Sequence, residues 1–389
     1  MDDATHATAG GAEQGGTGHG GTGQGSGGST LLLVGTRKGL WLGTSDARRA
    51  EWSWTGPHFP MEEVYSVMVD PRGAVPRVLA GCSSSWFGPQ VRWSEDLGET
   101  WQETPNGAVR FPEDTGATLA RVWQLVPGVE DGVVWAGTEP GAVFRSEDGG
   151  EHFELVRGLW DHPHRPEWSE GFGGQAFHTV LPHPRDPGSV LAALSTGGAY
   201  RTADGGRSWE PVNRGVKAEF MPGERSYPEF GQCVHKVARD AVDPDRLFLQ
   251  NHGGVYRSDD GGDSWQDIAP GLPSEFGFAM VTHPRKPSTA YTFPIADAGA
   301  RWPVDSRARV CRTTDGGETW EQLGEGTLPD SFYAAVMRDA MCADTQDPVG
   351  LYFGGRNGAV WGSGDEGATW TELHRDLPDV LVVRAAVLP

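Results

Sequence analysis

Residues 258–265 read SDDGGDSW, and the same eight-residue pattern returns along the chain as SEDLGETW from Ser94, SEDGGEHF from Ser146, TADGGRSW from Thr202, TTDGGETW from Thr313 and SGDEGATW from Ser363. A seventh copy, TSDARRAEW from Thr44 to Trp52, carries one extra residue. Its aspartates fall at Asp46, Asp96, Asp148, Asp204, Asp260, Asp315 and Asp365, a spacing of 50 to 56 residues. Repetition at that period predicts a repeat architecture. Within each octet the pattern fits a tight turn between two strands. The Asp carboxylate accepts backbone N–H groups, Gly supplies a positive φ, and the terminal Trp packs inward as an apolar anchor. The third copy has His152 and Phe153 where the others have Thr or Ser and Trp, which predicts a looser turn there.

The octets resemble Asp-box, or BNR, repeats. Residues 31 to 389 as a whole resemble a bacterial group of single Asp-box propellers in the sialidase-like, glycosyl-hydrolase-like superfamily. That resemblance implies an all-β repeat fold. It implies no single activity, because the group holds sialidases, xyloglucanases, sortilin-type receptors and a photosystem assembly factor.

Most units place one more strand ahead of the octet hairpin, as in VYSVMVDP from Val64, FHTVLPHP from Phe177 and FAMVTHP from Phe278. Counterparts begin at Leu119, Cys233 and Phe332. The first unit lacks this strand, whereas the chain ends on VLVVRAAVL, residues 380–388, with no octet behind it. The expected fold is therefore a seven-bladed β-propeller of four-stranded antiparallel blades over residues 30–389. Its C-terminal strand pairs in the first blade and so removes the open edges. The aspartate turns then lie on the lower face, and the long, variable loops of the upper face are where function is expected.

The first 29 residues are Gly-rich and polar and predict a disordered tail. A formal net charge of −21 argues against nucleic acid and anionic membrane as partners. No secretory signal or apolar span is read in the chain, so the expected compartment is cytoplasmic. Cys82, Cys233, Cys311 and Cys342 are widely spaced and signal neither a zinc site nor disulfides; no cofactor is expected.

Aligning the upper turns sets Arg37, Glu139, Thr196, His252 and Arg356 around one rim, with Arg37 and Arg356 adjacent. Two guanidinium groups there can grip a carboxylate or phosphate, or can pair with nearby acids. Aligning the inner strands sets Tyr65, His178, His235, Phe278 and Tyr333 at one level, with Trp123 close. These groups suit either stacking on a ligand or packing between blades. The Pro-rich loop holding Trp160, Asp161, His162, His164, Glu167 and Trp168 reads as a lid, with His162 and His164 as weak metal candidates.

Two function classes follow. One is a module binding a small polar ligand, a glycan or carboxylate, or a protein partner. The other is a glycoside hydrolase using Asp161, Glu139 or Glu229 as acid or base. Exo-sialidase activity is not expected, because no arginine triad or Phe-Arg-Ile-Pro signature is matched; the nearest string is Arg110-Phe111-Pro112.

Overall fold

The computed structural model describes residues 28–73, 75–171, 174–221 and 223–388. The expected tail, with His6 and His19, lies almost wholly outside the described residues. The chain is all-β apart from short helical turns. Its strands form five four-stranded sheets and one of eight strands, and within each four-stranded sheet the pairing is antiparallel and sequential. This arrangement is consistent with a β-propeller. None of the described helices is long and apolar enough to cross a membrane.

The eight-stranded sheet contains both the first strand, Ser29–Thr36, and the last, Val380–Leu388. They pair antiparallel from Ser29 opposite Leu388 to Thr36 opposite Val380. On its other edge the last strand makes a single parallel contact, Asp339 to Val382.

The octets form the turns between third and fourth strands by one repeated set of bonds. In the second copy Asp96 accepts the Thr100 backbone N–H at 2.8 Å and the Thr100 hydroxyl at 2.6 Å. Ser94 Oγ donates to Asp96 at 2.7 Å and accepts from the Gly98 N–H at 2.7 Å. The same contacts recur around Asp204, Asp260, Asp315 and Asp365. The second glycine is needed for two reasons. Gly150 has φ of 92°, and a Cβ there would stand 2.4 Å from a Leu79 methyl.

The third turn is not loosened. His152 Nδ1 lies 2.8 Å from Asp148 Oδ2 and its N–H donates to Oδ1 at 2.9 Å, so the imidazole takes the hydroxyl's place. Phe153 is buried in the aromatic position. The octet aromatics also join neighbouring sheets, since the Trp265 indole N–H donates to the Val212 carbonyl at 2.9 Å, just past the outer strand of the preceding group.

These bonds have a pH signature. The hydroxyls of Thr100 and Thr319 lead the donors that hold Asp96 and Asp315 at about 2, and Ser208 pulls Asp204 lower still. A carboxylate with a depressed folded pKa stabilises fully above its unfolded value and loses that contribution as pH falls through the folded one. The melting temperature should therefore hold between roughly pH 7 and 5 and fall from about pH 4 toward 2. A profile flat to about pH 2 would show that the turns contribute nothing.

Candidate functional site

The inner strands share a defect near their first residues. Register breaks leave Tyr65, Trp123, His178 and His235 each as one unpaired residue, skip Phe278 with Ala279, and skip residues 337 to 340. The last strand has the same break at Leu381. A bulge of this kind re-aims a side chain, here toward the channel end or across to the next strand.

Tyr65, Trp123, Phe278, Met337 and Leu381 take the first course and line a cavity of about 480 Å³ at the channel mouth. Tyr65 and Trp123 pack with ring centroids 5.1 Å apart. His178 and His235 take the second course. His178 Nε2 donates to the Val234 carbonyl at 3.0 Å, and His235 Nδ1 donates to the Gly277 carbonyl at 2.6 Å. Both rings are buried, and burial holds both pKa values well below the usual imidazole range. These two candidates fasten neighbouring strands and do not face the mouth.

Five arginines converge on the mouth: Arg37, Arg121, Arg301, Arg338 and Arg356. Three are neutralised. Arg37 donates to Glu63 at 2.7 Å and lies 3.3 Å from Asp379, which also takes Arg356 at 2.6 Å. Arg121 donates to Glu139 at 2.9 Å, and the Trp123 indole N–H donates to the same Glu139 oxygen at 2.9 Å. The expected pair Arg37 and Arg356 is thus brought together, but around a carboxylate of the protein itself.

Arg338 differs from these three. Its side chain is 9% exposed, pairs with no carboxylate among the described residues, and donates only to Ser195 Oγ at 3.1 Å. Its Nε has no partner. Its guanidinium carbon lies 5.2 Å from the Phe278 ring centre and 5.9 Å from that of Trp123. Burial pulls its pKa down to about 10, which leaves it charged at neutral pH. Arg301 stands 5.7 Å from the same Phe278 ring, and among the described residues its guanidinium bonds only the Ala298 carbonyl.

Several sequence candidates fall elsewhere. Tyr333 is 66% exposed and packs edge-on against Trp302 outside the strand, which begins at Val336; Met337 takes the level expected for Tyr333. Trp160 and Trp168 are core anchors and form no lid. Trp160 packs on Phe111, and Trp168 donates to the Tyr200 hydroxyl at 2.8 Å. His162 and His164 stand with ring centres 4.6 Å apart and pack on Tyr200, with His164 stacked 3.9 Å from Phe230. Of the proposed acids, Asp161 and Glu229 are exposed and do not line the mouth, where Glu139 stands alone of the three. His252 is half-buried at the end of its strand pair. Reading by alignment missed Arg121, Arg301, Arg338 and Asp339.

No family model matches the sequence. Over 214 residues the chain is 25% identical to a xyloglucanase of Paenibacillus sp, covering 52% of this chain and 15% of that protein. Over 179 residues it is 24% identical to the photosystem II assembly protein Ycf48 of Synechococcus sp., covering 38% of this chain and 50% of the other. The chain thus spans half or less of the length of these relatives. The solved structure of Ycf48 from Cyanidioschyzon merolae superposes with a TM-score of 0.52 at 15% identity, over 80% of this chain and 84% of that one. At that identity the likeness speaks for fold alone. The chain is a β-propeller similar to glycosyl-hydrolase-like propellers and to Ycf48.

Proposed function

We propose that this protein is a seven-bladed Asp-box propeller, closed by its last strand, whose mouth binds a small carboxylate-bearing ligand such as a sugar acid. The blade count is supported by the seven octets and by the bulge shared by Leu381 and the inner strands. The binding role rests on Arg338. A buried guanidinium with no carboxylate partner among the described residues has only the Ser195 hydroxyl and the faces of Phe278 and Trp123 to offset its lost solvation, and an anion delivered to the cavity would supply the rest. Such a cationic mouth on a chain of net charge −21 also steers anions to one place. Tyr65, Trp123 and Phe278 give faces for a sugar ring.

The hydrolase reading, carried by the xyloglucanase relative, has less support in this cavity. Its lining carboxylates are Glu139 and Asp339, and both are engaged by cations. A general acid needs a carboxyl that keeps its proton near neutral pH, and Asp339 is held below the usual carboxylate range. A protein partner presenting an acidic segment is the other occupant the charge allows, with exposed Trp86, Phe87, Trp302 and Tyr333 as further contacts.

Calorimetry with uronic acids, neutral xyloglucan oligosaccharides and acidic peptides tests this. Uronate binding should weaken with added salt and drop about tenfold to a hundredfold in Arg338→Gln, the loss of one charge-assisted contact. Cleavage of the neutral oligosaccharide would establish the hydrolase. Binding of acidic peptides alone would establish the protein partner.

A further inference from the structure

Behind Phe278, which also lines the mouth cavity, three side chains converge that sequence spacing alone does not connect. Cys233 and His252 stand opposite each other where the strands Val234–Arg239 and Leu247–Asn251 begin and end, joined by the His252 N–H to Cys233 carbonyl bond at 2.9 Å. His235 follows Cys233 by two residues. The ligand atoms of the three all lie within 4.8 Å of one another. We propose that Cys233, His235 and His252 form a binding site for one divalent ion of the zinc class, which favours sulfur and imidazole nitrogen.

Four observations carry this. First, the His235 Nδ1–H is committed to the Gly277 carbonyl at 2.6 Å, which leaves Nε2 with its lone pair facing Cys233 Sγ at 3.7 Å. An outer hydrogen bond that fixes tautomer and ring in this way is the usual support of a metal-binding histidine. Second, zinc–sulfur and zinc–nitrogen bonds of about 2.3 and 2.0 Å set a tetrahedral edge of roughly 3.5 Å, close to that separation. Third, the His252 ring makes no hydrogen bond among the described residues and is half-buried, so a small rotation brings it to the ion. Fourth, Phe276 and Phe278 pack around the imidazoles and form a dry wall, whereas His252 also borders a surface cavity with Glu219. Three protein ligands with one side open is the arrangement of a zinc site that keeps a fourth position for water or a ligand.

The chemistry balances without a further reactant. The aquo ion exchanges waters for two imidazole nitrogens and one sulfur, and the Cys233 thiol gives its proton to solvent. Burial lowers the pKa of both histidines, so they are neutral and ready to donate at pH 7. Burial raises the Cys233 pKa while the nearby Arg338 charge favours its thiolate. Uptake should therefore strengthen as pH rises.

The test is cobalt titration of the full chain after chelator treatment. One equivalent should saturate it, with a thiolate-to-cobalt charge-transfer band and the strong visible bands of a four-coordinate ion, both displaced by zinc. Cys233→Ser should lose the charge-transfer band. His252→Ala should weaken uptake by about 100-fold or more, beyond the 10–100-fold typical of losing an outer-shell partner. The His252 ring is half-buried and makes no hydrogen bond among the described residues, so His252→Ala removes ring packing alone and keeps the test valid if Cys233→Ser does not fold. Absence of saturable uptake in the wild type, a full-strength charge-transfer band in Cys233→Ser, or wild-type cobalt affinity in His252→Ala overturns the proposal.

Discussion

Replacing Asp339 by alanine should destabilise the protein by about 3–5 kcal/mol, the cost of removing one partner from a buried ion pair. Asp339 is buried and its Oδ1 accepts from Lys236 Nζ at 2.8 Å and from the Arg384 guanidinium. The three residues come from the strands Val336–Ala343, Val234–Arg239 and Val380–Leu388, so one carboxylate joins three strands. Its loss strands a Lys236 side chain that is only 9% exposed. The proper comparison is Asp347→Ala, whose carboxylate is 90% exposed beside Arg285 and whose loss should cost about 0–1 kcal/mol. Urea midpoints of the two variants decide the matter, and equal midpoints would mean the trio is no stronger than a surface pair.

The same trio carries a pH dependence. Burial works against the Asp339 charge, yet Lys236 and Arg384 together hold its pKa below the ordinary 3.8. Its contribution is complete above the unfolded carboxylate range and is lost as pH falls through the lower folded value. The trio also matters for the mouth, because Asp339 and the neighbouring Arg338 both line it. An apolar replacement there changes the floor on which Arg338 rests.

What was legible in the sequence is what is local and repeated. The octet bonds close within five residues, so Ser94 to Thr100 announces its turn without help from the rest of the chain. The common level of Tyr65, Trp123, His178, His235 and Phe278 was legible for the same reason. Their direction was not, since a bulged side chain can face the channel or bond the next strand, and the neighbour's backbone decides which. Tyr333 shows a second kind of failure. The run FYAAVMRDAM offers an aromatic pair as its apparent start, but the strand begins four residues after Phe332, and that slip hid Met337, Arg338 and Asp339. Trp160 and Trp168 misled in the opposite sense, because a loop rich in Pro and His reads as mobile while its tryptophans are buried against Phe111 and Tyr200. Cys233 and His252 meet only through strand pairing, which no spacing rule for metal ligands records.

A chain ending at Asp379 should lose cooperative folding altogether. Val380, Val382 and Val383 are fully buried and Leu381 nearly so. Burying such side chains contributes about 1.5–3 kcal/mol each, so four together rival the roughly 5–15 kcal/mol that keeps a domain folded. The loss also exposes the pairing edge of Ser29–Thr36, whose register with the last strand runs its full length. Under the proposed closed ring, Ser29–Thr36 and Val336–Ala343 then have nothing between them, and the Lys236–Asp339 pair loses Arg384. The measurement is a thermal melt of the truncated chain by circular dichroism, followed by addition of a peptide of residues 380–388 in trans. Recovery of a cooperative transition with the peptide would show that the missing strand, and no general loss of solubility, caused the failure. A truncated chain that melts cooperatively within a few degrees of the full protein would mean that this strand lies on the molecule without closing it. The mouth would then need another account too, because Leu381 forms part of its wall and Asp379, at the cut, is what gathers Arg37 and Arg356.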